Sequence, residues 1–223
     1  LATRHAVPVQ NLKVFVGSWN FGNNTPPADL SPWIPRNRFE IYAIGMQESP
    51  GENIKLVSDY LGDEYVMVKD EVMGVIRLAV MVRKTMVQYI EPDSVESFHV
   101  ASGIMGGMGI NKGGVAVAMR YRGTPIAFIT SHLAARATAK RNRRRNKDVR
   151  NIIENCDIGL KNIDFVHQYN VFWLGDLNYR LNLPWDEAVQ LVKKKDWPTL
   201  RKHDQLLIEK AAGRGFADGQ ERP

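Results

Sequence analysis

The chain has 223 residues, 44% of them hydrophobic, and a formal net charge of +6 at neutral pH, which suits one large α/β domain with a full core and excludes a disordered or fibrous polypeptide. Its single cysteine, Cys156, excludes an internal disulfide and a thiolate-rich zinc site and suits a reducing compartment. The longest apolar runs reach about five residues, far short of the roughly 20 that span a bilayer, and no secretory leader is visible, so a soluble intracellular protein is expected.

In chain order, runs rich in Val, Ile, Phe and Tyr at 12–19, 39–46, 64–68, 76–82, 113–121, 125–132 and 170–174 predict strands, with Gly, Pro and Asn between them. Helical spacing of apolar residues predicts helices over 54–61, 146–158 and 184–194. In the last of these, Trp185, Ala188, Val189 and Val192 share one face, and Pro184 suits the first turn. Arg122, Gly123 and Thr124 join two strand runs as a hairpin, which argues against a purely parallel, doubly wound sheet. An α/β fold of two mixed β-sheets, packed face to face and flanked by helices, is therefore expected. No repeat, low-complexity tract or linker divides the sequence, so 1–223 reads as one domain.

The charge is uneven. Eight basic residues (Arg136, Lys140, Arg141, Arg143, Arg144, Arg145, Lys147 and Arg150) stand against one acid, Asp148, over 136–150. Such a field favours phosphorylated small molecules, nucleic acid or an anionic membrane, although a solvated helix face or a localisation signal has the same composition.

Several strand runs end in polar groups. The first ends in Ser18, Trp19 and Asn20, the second in Gln47 and Glu48, the hairpin's second strand in Ser131 and His132, and the last in Asp176 and Asn178. Strand ends hold side chains rigidly while leaving room for a ligand. Oxygen donors such as Glu48 and Asn20 suit magnesium; an aspartate can orient or deprotonate water, and a histidine can stabilise a phosphoryl oxygen. Each residue also has an ordinary reading: Asn20 as a turn cap, Glu48 as a surface charge, His132 as a satisfied core residue, and Gly175 to Asn178 as turn formers. The glycine-rich stretch GIMGGMGINKGG at 103–114 lacks the Gly-Lys-Ser/Thr ending of a P-loop, and Lys112 replaces the third glycine of a dinucleotide fingerprint. Its backbone could still approach a phosphate, with Lys112 as a point charge, or it could simply connect strands.

Together, SWNFGNNTPP, IYAIGMQES, GIMGGMGINKGG, ITSHLAA, RRNKD, VFWLGDLNYRL, HDQLL and GFADGQERP resemble the inositol polyphosphate 5-phosphatase catalytic domain, a branch of the DNase I and apurinic endonuclease superfamily. The first two segments look most like the SH2-domain-containing inositol 5-phosphatases. The resemblance implies a DNase I-like four-layer sandwich and magnesium-dependent removal of the 5-phosphate from phosphoinositides or soluble inositol polyphosphates. It further implies that Glu48 is the main Mg2+ ligand with Asn20 nearby, that His132 contacts the scissile phosphate, that Asp176 activates water and that Asn178 holds that water or the phosphate. Lys112 and Arg180 would face the inositol headgroup. It implies a cytoplasmic protein recruited peripherally to anionic membranes, with no nucleic-acid partner. The proline- and tyrosine-containing substrate loop, the tryptophan-aspartate-arginine motif and the final serine-aspartate-histidine motif of the family do not occur before Pro223. The C-terminal strands of the domain are accordingly expected to be absent from this chain, and this stretch alone is expected to be unstable or inactive. Two alternatives stay open: a magnesium-dependent nuclease of the same superfamily, and a non-catalytic module that binds anionic membranes through 136–150.

Overall fold

The computed structural model describes residues 11–102, 111–217 and 219. Most of the glycine-rich stretch, 103–110, lies outside the described residues, as does part of the segment 215–223. Among the described residues, eight strands form two four-stranded sheets. The first contains β1 (Val14–Asn20), β2 (Ile41–Gln47), β3 (Tyr65–Met73) and β4 (Ile76–Arg83) in the order β1-β2-β4-β3. The second contains β5 (Glu96–Ala101), β6 (Gly113–Tyr121), β7 (Thr124–His132) and β8 (Asn170–Asp176) in sequential order. Both sheets are mixed: β1–β2 and β7–β8 are parallel, and the other pairs are antiparallel.

The sheets pack face to face over a core that includes Ile41, Ala43, Leu78, Val80, Val115, Val117 and Phe128. The alternate residues of β2, among them Tyr42, Ile44 and Met46, pack outward with Val57 and Leu61 of α1 (Asn53–Leu61). Ala116, Ala118, Ala127 and Ile129 pack outward with Val149 and Ile152 of α2 (Ala139–Asn155). Central strands covered on both faces are apolar at nearly every position, so β2 is buried along its whole length. The sheets approach closely at Gly45, where a Cβ would lie 2.4 Å from Thr130 Oγ1 and 2.8 Å from Leu174 Cδ1. Beside it, buried Gln47 donates from Nε2 to Thr130 Oγ1 across the sandwich at 2.8 Å.

The hairpin forms as expected, with Arg122 and Gly123 both at positive φ (49° and 78°), the two-residue turn that matches strand twist. The remaining differences from the sequence reading lie where apolar periodicity is weak. Strand β5 was not anticipated, because its ESFHVA sequence carries charge and lies on a sheet edge. Helix α2 begins at Ala139 rather than 146, because Thr138 caps it and its first turns are mainly arginine, lysine and asparagine, good to fair helix formers with no apolar stripe. The predicted helix over 184–194 is α3 (Trp185–Lys193), with Pro184 one position outside it as the N-cap. Two short helices follow, α4 (Trp197–Lys202) and α5 (Gln205–Ala211), capped by Asp196 and Asp204. Among the described residues, no helix is long and apolar enough to cross a membrane.

The basic run divides in two. Lys140, Arg143, Lys147 and Arg150 are exposed on α2 at spacings of three and four residues. Arg145 is fully buried: its Nη1 donates to the carbonyls of Ala134 (3.0 Å) and Arg136 (2.9 Å), and its Nη2 donates to Gln205 Oε1 (2.6 Å). Arg144 pairs with buried Asp148 at 2.7 Å and also donates to the Ser102 carbonyl. Both arginines therefore serve the fold. Buried acceptors that lose a donor cost about 1–3 kcal/mol each, whereas a change on a solvated face stays within about 0.5 kcal/mol. Chemical denaturation should accordingly show Arg145→Met losing about 3 kcal/mol or more, and Lys147→Glu almost nothing; equal effects would place Arg145 on the solvated face.

Candidate active site

Parallel pairing puts the carboxyl ends of two strands side by side. In β1–β2 the register sets Asn20 beside Gln47, and in β7–β8 it sets His132 beside Asp176. Strands β1 and β8 meet across the sandwich, so the two pairs of strand ends open onto one place: Asn20 Nδ2 donates to Asp176 Oδ2 at 3.0 Å. Carboxyl ends of strands are where layered α/β folds collect ligands.

His132 forms the floor at 1% exposure. Its Nε2 lies 3.3 Å from Asp176 Oδ2 and 3.7 Å from Glu48 Oε1, and Lys112 Nζ contacts the same nitrogen. Its other ring nitrogen, Nδ1, is buried with no hydrogen-bond partner among the described residues. The carboxylates of Glu48 and Asp176 are about one-third exposed, with side-chain values of 34% and 28%, while Arg180 is exposed at the rim. The site thus deepens from Arg180 through the carboxylates to His132.

Two backbone devices aim these groups. Glu48 leaves β2 at φ 47°, a left-handed conformation unusual for glutamate, and its carbonyl accepts from Asn23 N at 2.7 Å. Such strain, of order 1–3 kcal/mol, persists where surrounding structure enforces it. Gly175 has φ 126°, and a Cβ there would lie 2.1 Å from the Ser131 carbonyl oxygen, so only glycine lets β8 pass this close to β7 before releasing Asp176. Asn178, also left-handed at φ 57°, donates its backbone N–H to Asp176 Oδ1 (3.1 Å) and its Nδ2 to the Leu133 carbonyl (3.1 Å). Its Oδ1 accepts from Arg180 Nη2.

Electrostatics follow from this packing. Burial would push the Asp176 carboxyl up, but hydrogen bonds from His132 and Asn20, the His132 charge and the Asn178 N–H outweigh it and bring the pKa down to about 2. Burial draws the Lys112 ammonium below the usual lysine range, opposed by the nearby Asp176 and Glu48 carboxylates. All seven residues singled out in the sequence, Asn20, Glu48, Lys112, His132, Asp176, Asn178 and Arg180, fall in this one connected cluster. Sequence reading named Gln47 only as a strand-end polar group and missed its partner Thr130, the two that join the sheets beneath the cluster, and it gave no site role to Arg145 and Gln205, which lie behind Arg180. The only sequence signal for the last two was their place inside RRNKD and HDQLL.

Comparison with known proteins agrees with the fold and the motifs. Residues 17–223 match the family described as Endonuclease/Exonuclease/phosphatase family 2, and the chain belongs to that family. It is 32% identical over 226 residues to phosphatidylinositol 3,4,5-trisphosphate 5-phosphatase 1 of Xenopus laevis, covering 89% of this chain and 22% of the relative. It is 34% identical over 241 residues to type II inositol 1,4,5-trisphosphate 5-phosphatase of Mus musculus, covering 95% of this chain and 24% of the relative. The chain therefore spans less than a quarter of these relatives' lengths, and the two similar identities single out no subgroup. The inositol polyphosphate 5-phosphatase domain of SPsynaptojanin, solved with inositol (1,4)-bisphosphate and a calcium ion, superposes with a TM-score of 0.82 at 27% identity, over 96% of this chain and 66% of that one. A Cimex nitrophorin matches 95% of this chain and 75% of its own with a TM-score of 0.68; at 19% identity that likeness speaks to fold alone.

The Asn20–Asp176 bond can be tested without substrate. Asn20→Ala removes a donor that favours the ionised carboxyl, so the Asp176 pKa should rise from about 2 toward the ordinary value of about 3.9. A depressed carboxylate stabilises the fold above its unfolded pKa and loses that contribution as pH falls through its folded one. Carbon-13 NMR titration of the carboxyl should show the rise, and acid unfolding of the variant should begin at higher pH. An unmoved Asp176 titration would mean that the Asn20 contact does not hold its charge.

Proposed function

We propose that this chain carries the catalytic centre of a magnesium-dependent phosphatase that removes the 5-phosphate from phosphoinositides or soluble inositol polyphosphates. The observation that carries this reading is the crowding of Lys112, Asp176 and Glu48 around one nitrogen of His132. Nε2 has one proton or one lone pair, so it cannot donate to Asp176 and accept from Lys112 at once. A phosphoryl group entering the cleft accepts from both His132 and Lys112, which resolves that competition with charge-assisted bonds. The names of the relatives and the inositol phosphate in the SPsynaptojanin domain support the substrate class.

The residues fit magnesium. Glu48 offers a partly exposed carboxylate at the cleft and the Asn20 side chain stands at the neighbouring strand end, and magnesium is the hard cation that needs only one or two carboxylates, with water and substrate oxygens filling the rest of its shell. Glu48 is the main protein ligand in this reading, with Asn20 beside it. Bound magnesium supplies charge neutralisation on the phosphoryl oxygens.

The chain's own groups do the rest. Asp176, ionised across the neutral range by its low pKa, holds the attacking water and accepts its proton as the new P–O bond forms and the bond from phosphorus to the inositol 5-oxygen breaks, the departing alkoxide taking a proton from solvent. With so low a pKa it acts more through orientation than through basicity. The Asn178 backbone N–H fixes the Asp176 carboxylate, and the Asn178 amide, tied to Leu133 and Arg180, borders the phosphate. His132 Nε2 and Lys112 Nζ donate to the phosphoryl oxygens as negative charge shifts toward the leaving group. Arg180, at the rim, reads a neighbouring ring phosphate. The exposed stripe Lys140, Arg143, Lys147 and Arg150 supports peripheral contact with an anionic membrane from the cytoplasmic side, since each basic residue near such a surface contributes about 1 kcal/mol.

Phosphate release from soluble inositol 1,4,5-trisphosphate by the full-length protein tests the assignment. Asp176→Asn should lower kcat at least about 100-fold with KM within about threefold, because the charged carboxylate that orients the attacking water and takes up its proton acts on the transition state. Glu48→Gln should raise the magnesium concentration for half-maximal turnover about tenfold or more. Equal loss of binding and turnover in Asp176→Asn would make Asp176 a structural residue instead.

A further inference from the structure

The backbone of Arg180 is gripped on both sides by one residue. Gln205, 4% exposed, donates its backbone N–H to the Arg180 carbonyl at 3.0 Å and accepts the Arg180 N–H on its side-chain Oε1, also at 3.0 Å. Its Nε2 donates to Asn182 Oδ1 at 2.8 Å, and Asn182 N donates to the His203 carbonyl at 2.8 Å. Leu181 and Asp204 form an isolated antiparallel bridge between the same two segments. The segment that follows Asp176 is therefore held like a short strand against the start of α5.

The orientation of the Gln205 amide is set from behind. Its Oε1 also accepts from Arg145 Nη2 at 2.6 Å, a charge-assisted bond that fixes which end of the amide faces Arg180. The same guanidinium donates to the carbonyls of Ala134 and Arg136, on the segment that leaves His132, and lies 5.1 Å from the centre of the Tyr179 ring. One buried cation thus ties the segment after His132 to the segment after Asp176.

We propose that Gln205, oriented by Arg145, is a positioning residue that sets the placement of Arg180 and so the affinity for a substrate phosphate next to the scissile one. Gln205 does not touch the reacting groups; it acts through the Arg180 backbone. The functional half of this rests on the phosphatase reading, and the geometric half does not.

The test uses the full-length protein with Gln205→Leu, which removes acceptor and donor, and Gln205→Glu, which keeps an acceptor for Arg180 and Arg145. Amide hydrogen exchange reports the geometry without any substrate: Gln205→Leu should speed exchange at Arg180 about tenfold, with core amides such as Ile129 unchanged, and Gln205→Glu should restore most of the protection. Turnover of inositol 1,4,5-trisphosphate reports the role. Gln205→Leu should raise KM about tenfold with kcat within about threefold, and it should add nothing to KM in an Arg180→Ala background, where the group it positions is gone. Unchanged exchange at Arg180 would overturn the clamp, and so would faster exchange across the whole core. Additive KM effects, or equal losses in kcat and KM, would overturn its action through Arg180. A wild-type protein that releases no phosphate, with the exchange results as expected, would sink the phosphatase reading and its substrate consequence while leaving the clamp standing.

Discussion

The 3.0 Å hydrogen bond from Asn20 to Asp176 joins residues 156 positions apart, on strands of different sheets. It forms only if both sheets place a parallel pair at the same edge of the sandwich and the sheets pack in one register. Gly45 permits that approach, since any side chain there would meet Thr130 and Leu174. Gln47 then spans the gap to Thr130. Core packing, strand polarity and the charge state of Asp176 are thus set by one geometric requirement. A carboxylate about one-third exposed is brought down to about 2 because donors converge on it, against the pull of its burial.

Charge is used in two ways along α2. On the outside, lysines and arginines spaced around one face remain solvated and free to meet anions. On the inside, Arg145 satisfies four acceptors, the carbonyls of Ala134 and Arg136, Asn142 Oδ1 and Gln205 Oε1. Burying a guanidinium costs several kcal/mol before such bonds form, so it is a demanding way to join two segments. Its value lies in direction, because the planar fork fixes its partners at defined angles, which an apolar contact does not.

Four members of the candidate cluster were legible in the sequence because they stand where apolar strands end, and strand ends are visible wherever an apolar run breaks at a polar residue. Asn20, Glu48, His132 and Asp176 all have that signature. The mixed-sheet fold was legible from the hairpin at Arg122 and Gly123. Arg145 and Gln205 were not, since a buried arginine within a basic run has the same local pattern as its solvated neighbours, and only the tertiary partners distinguish it. The early turns of α2 escaped for a related reason: their helicity comes from propensity and the Thr138 cap, while periodicity detects only an apolar stripe. Strand β5 escaped because a sheet edge tolerates the polar alternation that otherwise marks a loop.

The placement of β1 and β8 has a consequence for synthesis. β1 finds its sheet neighbour β2 about twenty residues later in the chain, but its partner across the sandwich, β8, begins only at Asn170. Contacts of such long sequence separation form late, after the local hairpins β3–β4 and β6–β7. During translation the Glu48 side chain waits through most of the described chain before the Asp176 side chain reaches it. A ribosome-bound chain that stops short of β8 therefore carries all four strands of the first sheet and three of the second, and the bond from Asn20 to Asp176 cannot form before β8 docks.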